Sequence, residues 1–532
     1  MSINTDTEHN TSQSTSGLIR NNVHYKRGRV ILSNQFSSLL TENNPYENDP
    51  EEAAVNISTM TNVPNLKGDW LNFYLLLFLY ILQGFQIDLI RQFASILLIR
   101  NIKSYKIKVL LSIMFWLCAF KVLFAPFLDS LYIQRIGRRK SWLLPIQFLI
   151  GTILRYIVKN IDDWLPESDN ASNMMIVYSI FAISILSDIH YVIVDAWSLT
   201  MLKKNNLGYA STCKVTGLSI GILIGSSGVF FVTSNNFANN NLLISYTYIW
   251  SIIFLLTATL IGIFKKEKDH SFELDHKKIS VFQNYKLLWN ILKKPEIKLL
   301  GIALLTARFG FSATDSASSL KLIDAGISKD DIMITVTGMY AIKFIMPIFV
   351  SKYITGPKAM DHYLTMTPIR LIWNITHMVF IYYTPSLINN NGVTKIPVYY
   401  YCLLAFIFAV TEMLSFFMLL ALYAFFCRLS DPCFGGTYMA LFNTFYFLGW
   451  LLPHTLVLKM IDFLTFSTCS NDTQNGCITS DLKNVCVANG GSCRVYVDGY
   501  HITVAICIVI GSLWYFAFRN KLKNYQLIRM VG

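Results

Sequence analysis

The sequence predicts an all-α integral membrane protein with twelve transmembrane helices in two six-helix halves. Three observations carry that expectation. Of 532 residues, 53% are hydrophobic and only 14% charged, whereas a soluble globular chain carries about 25% charged residues; lipid must solvate much of this surface. Apolar runs of about 20 residues, the length needed to cross a bilayer, recur along the chain. A lysine-rich stretch divides those runs six and six.

Residues 1–68 are polar, rich in Ser, Thr and Asn, and hold no apolar core of signal-peptide type. They read as a disordered cytoplasmic tail. Spans are expected at 70–90, 107–128, 141–159, 172–195, 208–233 and 243–264, an N-terminal bundle within 69–264. The polar stretch 265–296 carries Lys265, Lys266, Lys268, Lys277, Lys278, Lys293 and Lys294 and reads as a basic cytoplasmic linker. Spans at 297–319, 332–354, 363–385, 397–426, 432–460 and 498–519 form a C-terminal bundle within 297–519. It is interrupted by a Cys-rich luminal loop at 461–497, and 520–532 is a second cytoplasmic tail.

The net charge of +13 does not indicate nucleic acid, because the basic residues sit mostly in short connections between apolar runs. There they set orientation, since Lys and Arg favour the cytoplasmic side. Arg135, Arg138, Arg139, Lys140, Lys203, Lys204, the linker lysines, Lys352, Lys358, Arg428 and Arg519 all fall on one side. That puts both termini in the cytosol. One connection disagrees: Arg91, Arg100, Lys103, Lys106 and Lys108 crowd the first outer loop.

Six spans, a charged middle and six more spans is the major facilitator plan, in which two halves enclose a site near the bilayer midplane. The connection after the second span supports it. Asp129 closes that span, and Gly137-Arg138-Arg139-Lys140 follows. Gly permits a tight turn, and the carboxylate can grip a neighbouring helix start or a basic side chain and lock one state. Asp129, Gly137, Arg138 and Arg139 are therefore gating candidates. The sequence holds no phosphate loop of the G-x-x-x-x-G-K-[ST] kind, so a gradient must supply the work. No cofactor, metal or catalytic centre is expected.

Ionisable residues at membrane depth are costly and face a cavity or a partner. The first half offers Asp88, Lys121, Arg155, Asp188, His190 and Asp195; the second offers Arg308, Asp315, Lys343, Arg370, Glu412 and His454. Basic residues from both halves would suit an anionic cargo, because Arg binds phosphate in bidentate fashion and Lys acts as a point charge. The competing reading pairs these charges across helices: Asp88 with Arg91, Lys121 with Asp88, Arg308 with Asp315 or Glu412. Arg370 and His454 lie near span ends and are read as snorkelling to the interface. Gly217, Gly221, Gly225 and Gly228 form a small-residue stripe suited to close helix packing.

Cys469, Cys477, Cys486 and Cys493 cluster in the last outer loop without the close spacing of a zinc site. They read as two disulfides with three open connectivities, which fits a luminal compartment. The sequons Asn170-Ala-Ser172 and Asn471-Asp-Thr473 fall on the same side, where glycans can be added.

Several stretches resemble the acetyl-coenzyme A transporter family of the endoplasmic reticulum: LLLFLYILQG (75–84), FKVLFAPFLDSLYI (120–133), GRRKSW (137–142), VDAWSLTML (194–202), NLGYASTC (206–213), TARFGFSATDSASSLKLIDAGI (306–327), SKYITGP (351–357), SDPCFGGTYMALFNT (430–444) and the four-cysteine loop ending in GGSC and VDGY. The resemblance runs in order over nearly all of 70–519. It implies import of acetyl-coenzyme A into the lumen in exchange for coenzyme A. It also implies roles for Lys121, Asp129, Asp195, Arg308, Asp315 and Asp431. Arg155 and Lys343 are added as phosphate holders and Asp431 as a gating residue. The chain departs from the family at Phe85-Gln-Ile-Asp88, at His190-Tyr191 and at Glu412. Asp88, His190 and Glu412 are therefore candidates for proton coupling. Competing readings are a facilitator of another organic anion or a proton-coupled solute, and a membrane-bound acetyltransferase using His190, His377 or His501. The sequence leaves the oligomeric state open.

Overall fold

The computed structural model describes residues 66–99, 116–164, 173–234, 240–267, 280–354, 356–389, 396–470 and 493–531, with a few single positions between them. Most of the N-terminal tail, Arg100 to Lys108 of the first connection, both sequons and Cys477 lie outside the described residues.

The apolar runs become helices because a backbone in lipid must satisfy its own hydrogen bonds. In the first half these are α1 (Trp70–Ile99), α2 (Lys121–Ser130, entered through a 3₁₀ turn at Cys118–Phe120), α3 (Lys140–Trp164), α4 (Asn173–Met201), α5 (Gly208–Ser234) and α6 (Asn240–Phe264). α1 runs past the expected boundary at 90, so Arg91 is a helical residue rather than part of a loop. The linker contains a helix, α7 (Val281–Lys293), started by a capping box in which Ser280 and Gln283 bond each other's backbone N–H. Then follow α8 (Pro295–Thr306), α9 (Phe309–Asp324), α10 (Lys329–Gly338), α11 (Tyr340–Ile354), α12 (Ala359–Asn389), α13 (Val398–Leu429), α14 (Gly435–Leu464) and α15 (Gly499–Val531). Eight stretches among the described residues are long and apolar enough to cross a membrane, with α8 and α9 together counting as one. Between α14 and α15, β1 (Phe466–Cys469) pairs antiparallel with β2 (Cys493–Val497).

Two expected spans are broken rather than continuous. The seventh breaks at Ala307-Arg308, between α8 and α9, and the eighth at Met339, between α10 and α11. Interrupted helices are tolerated at membrane depth where they are buried in protein. Here Asn374 of α12 donates to the Gly310 carbonyl at 3.0 Å. Trp514 of α15 donates to the Ala303 carbonyl at 3.1 Å.

Within the first half, α5 lies along α1, and α3 along α6. The glycine stripe explains the first pairing. A Cβ at Gly217 would meet Tyr80, one at Gly221 the Ile81 carbonyl, and one at Gly225 the Asp88 side chain. The stripe thus serves close packing. Across the halves, α5 touches α11 and α13, while α2 and α4 touch α14.

Candidate functional site

The turn after α2 ties the first half of the chain to the second. Gly137 has φ +108°, a conformation that L side chains rarely adopt. The turn aims two arginines back at Asp129. Arg139 bonds the Asp129 carboxylate, and Arg138 donates to the Asp129 backbone carbonyl through Nε at 3.0 Å and Nη2 at 2.6 Å. The other carboxylate oxygen of Asp129 accepts from Thr437 N and Thr437 Oγ1, each at 2.8 Å. It therefore caps the first turn of α14, where a negative charge meets the helix dipole. Arg138 Nη1 donates to the Cys433 carbonyl at 2.6 Å. A helix start and a basic side chain are both gripped, and the grip joins the two halves. Asp431 is an exposed cap, accepting from Cys433 N at 2.8 Å just before α14. Glu267 completes the tie by accepting from Arg139 N and Lys140 N, each at 3.0 Å.

Further in, Asp195 of α4 is fully buried and is the centre of a second network. Tyr80 of α1 donates to it at 2.7 Å, Lys214 of α5 at 2.8 Å and Asn443 of α14 at 2.6 Å. The Lys214 ammonium also lies 3.9 Å from the Tyr423 ring of α13 and 4.7 Å from the Tyr191 ring. The sequence draws no attention to Lys214. Its signal was a lysine inside a span otherwise made of small and apolar residues. Lys121 does not reach Asp88; its ammonium pairs with Asp188 at 2.9 Å and lies 4.0 Å from the Tyr191 ring. Asp88 instead ties α1 to α5 by accepting from Gln92 at 3.1 Å and Ser226 at 3.2 Å, beside Arg91 at 3.4 Å.

His190 is buried between two amides: it bonds Gln83 through Nδ1 and lies 3.3 Å from Gln147 through Nε2. Arg155 is exposed on α3 and stacks over Tyr248 at 5.3 Å, away from the other charges. In the second half, Lys343 of α11 pairs with Glu412 of α13 at 3.0 Å.

The third cluster surrounds the break between α8 and α9. Arg370 of α12 donates through Nη2 to both oxygens of Asp315 at 2.8 Å. It is 2% exposed, so it does not snorkel; α12 aims it inward. Arg308, which precedes the first residue of α9, lies 3.8 Å from the same carboxylate and bonds the Tyr446 hydroxyl. Two guanidinium groups thus share one carboxylate. Among the described residues, the Arg370 Nε has no hydrogen-bond partner. A constricted cavity of about 10 Å³ is lined by Arg308, Arg370, Phe311, Tyr363, Met418 and Tyr446, among others.

Between α14 and α15, Cys469 and Cys486 form a disulfide, and Cys493 is disulfide-bonded as well. Lys321 pairs with Asp498 at 2.9 Å.

The family model described as acetyl-coenzyme A transporter 1 matches residues 72–277 and 257–530. An uncharacterized protein of Schizosaccharomyces pombe is 26% identical over 476 residues, covering 87% of this chain and 88% of that protein. An uncharacterized membrane protein of Saccharomyces cerevisiae is 26% identical over 551 residues, covering 86% and 96%. Among solved structures, the major facilitator superfamily proton:xylose symporter XylE, bound to 6-bromo-6-deoxy-D-glucose, superposes with a TM-score of 0.50 at 12% identity. It covers 88% of this chain and 96% of that one. At that identity the likeness speaks for the fold, which is of the major facilitator type.

Proposed function

Because the chain belongs to the acetyl-coenzyme A transporter 1 family, whose members are transporters rather than enzymes, we propose that it carries acetyl-coenzyme A from the cytosol into the lumen of the endoplasmic reticulum. Coenzyme A returns in exchange, by alternating access. The observation that carries this reading is the sharing of one carboxylate, Asp315, by Arg308 and Arg370 beside a cavity at a break in a membrane-spanning helix. A buried cation surplus is costly unless an anion offsets it. The cargo supplies that anion through its phosphates.

The two arginines divide the task. Arg370 is held bidentate by Asp315 and stays fixed, whereas Arg308 is held at 3.8 Å and by a phenol. A phosphate oxygen arriving between Arg308 and Tyr446 replaces that weak hold with charge-assisted hydrogen bonds. At about 10 Å³ the cavity has room for one water at most, far less than the about 300–1,000 Å³ of ligand pockets. The present shape is then a narrowed one, with the Asp129 end shut. Opening needs Asp129 to leave the start of α14, and the Asp195–Lys214–Asn443 bridge to part, since both cross the halves.

The same cluster would accept another organic anion. The test is counterflow in vesicles holding the purified protein: preloaded coenzyme A should accelerate uptake of radiolabelled acetyl-coenzyme A, and unlabelled coenzyme A outside should compete. Free acetyl-coenzyme A should be recovered inside. Absence of competition would reassign the cargo, and recovery of acetylated product alone would favour an acetyltransferase.

A further inference from the structure

α7 presents an exposed face that the described protein meets only at its edge, through the Tyr285 hydroxyl. At 100° per residue, Phe282, Tyr285, Lys286, Trp289 and Lys293 fall within one stripe, and all five are exposed, Phe282 by 79% and Trp289 by 60%. The Lys293 ammonium lies 5.4 Å from the Trp289 ring. The opposite face is spoken for: Asn284, Leu288 and Ile291 are buried. Asn284 donates to Ser130 of α2 at 2.6 Å, and the Tyr285 hydroxyl donates to the Leu123 carbonyl at 2.6 Å. The helix is thus amphipathic, but its second face is aromatic and basic rather than simply polar.

We propose that this face of α7 seats on the membrane surface and binds anionic lipid headgroups. Three features select that occupant. The first is continuity. Only Lys294 separates α7 from Pro295, where a membrane-crossing stretch begins, so the helix is tethered at headgroup level. The second is charge. α7 contains no Asp or Glu, and Lys294 and Lys298 extend its basic edge past Lys286 and Lys293. The third is the side-chain mixture: Trp and Tyr favour the water–lipid boundary, and aromatic-plus-lysine faces mark helices lying in that plane. A soluble partner would gain from the rings, but it would have to dock against a bilayer edge. Seated in this way, α7 braces α2 next to Asp129, through Asn284 and Ser130.

The test places a nitroxide label at the tip of the face, using Phe282→Cys in the full-length protein. Exposed Cys402 is replaced by Ser as background, since it is the other exposed thiol among the described residues. Collision with lipid-soluble oxygen and with a water-soluble nickel chelate reads depth in vesicles of pure phosphatidylcholine and of phosphatidylcholine with phosphatidylserine. The expected result is greater oxygen and lower nickel accessibility in the phosphatidylserine vesicles. Lys286→Gln with Lys293→Gln should lose that difference. A lysine at an anionic surface shifts such an equilibrium on the order of fivefold. Equal, water-like accessibility in both vesicles would overturn the proposal. So would equal burial that the lysine variants leave unchanged, because headgroup charge would then play no part. Neither readout involves cargo, so failure here and failure of the transport reading are distinguishable.

Discussion

In the first half of the molecule, three buried cations have their own carboxylates: Lys121 has Asp188, Lys214 has Asp195, and Arg139 has Asp129; Lys140 is instead held by the Gly262 and Lys265 carbonyls. In the second half, Arg308 and Arg370 divide a single Asp315. The difference teaches how to separate a tie from a site. A matched, fully hydrogen-bonded pair needs nothing further and joins helices; a shared carboxylate leaves positive charge that a guest can answer. Both arrangements place ionisable residues in apolar helices, and composition alone cannot tell them apart.

The largest expected effect lies at the Asp195 network. Asp195→Asn leaves a buried lysine without its counter-charge, and breaking such a pair costs about 3–5 kcal/mol. The purified variant should melt well below the wild type, and adding Lys214→Met should restore part of the loss. If the single variant melts like the wild type and instead loses only cargo binding, the Asp195 network belongs to the site and the contrast fails.

Next comes Arg308→Ala, where the surplus is removed and Asp315 keeps Arg370. Coenzyme A affinity should fall by about 30-fold or more, since removing a buried charge partner from an interface costs about 2–5 kcal/mol. The melting temperature should change little. Arg155→Ala, on the exposed flank of α3, should leave uptake unchanged.

A smaller effect is expected at the closed end. Asp129→Asn weakens hydrogen bonds to a charged group, worth about 1.5–3 kcal/mol, and should shift the population toward the open shape. Alkylation of Cys433 from the side of the 131–139 turn should speed up. No change in the labelling rate would remove Asp129 from the gate. The smallest effect expected is at Gly225→Ala, which presses a methyl against Asp88 and should cost about 1–3 kcal/mol by overpacking, read as a modest drop in melting temperature.

The apolar runs and the 137–140 turn were legible in the sequence because length and glycine chemistry act locally. The proximity of Asp129 to Arg139 is local in the same way, whereas its hold on the start of α14 spans 308 residues and is a fact of tertiary packing. The pairings were not. Lys121 takes Asp188 rather than Asp88 because α2 and α4 are neighbours, a fact of tertiary packing. Arg370 lies near a predicted span end, yet α12 already begins at Ala359 and Asp315 of α9 holds the guanidinium inside. No proline announces the break at Ala307-Arg308, although Gly310 follows it; Asn374 and Trp514 on other helices meet carbonyls beside it. α7 was announced by Ser280 and Gln283 within a stretch that its lysines made look like plain linker.

The central claim is that the shared carboxylate leaves Arg308 available to a polyphosphate. Equilibrium binding of radiolabelled coenzyme A to the purified protein, wild type beside Arg308→Ala at one ionic strength, tests it most directly. Saturable binding by the wild type and a loss of about 30-fold in the variant, with both melting alike, is the expected result. Equal affinity in the two proteins would contradict it.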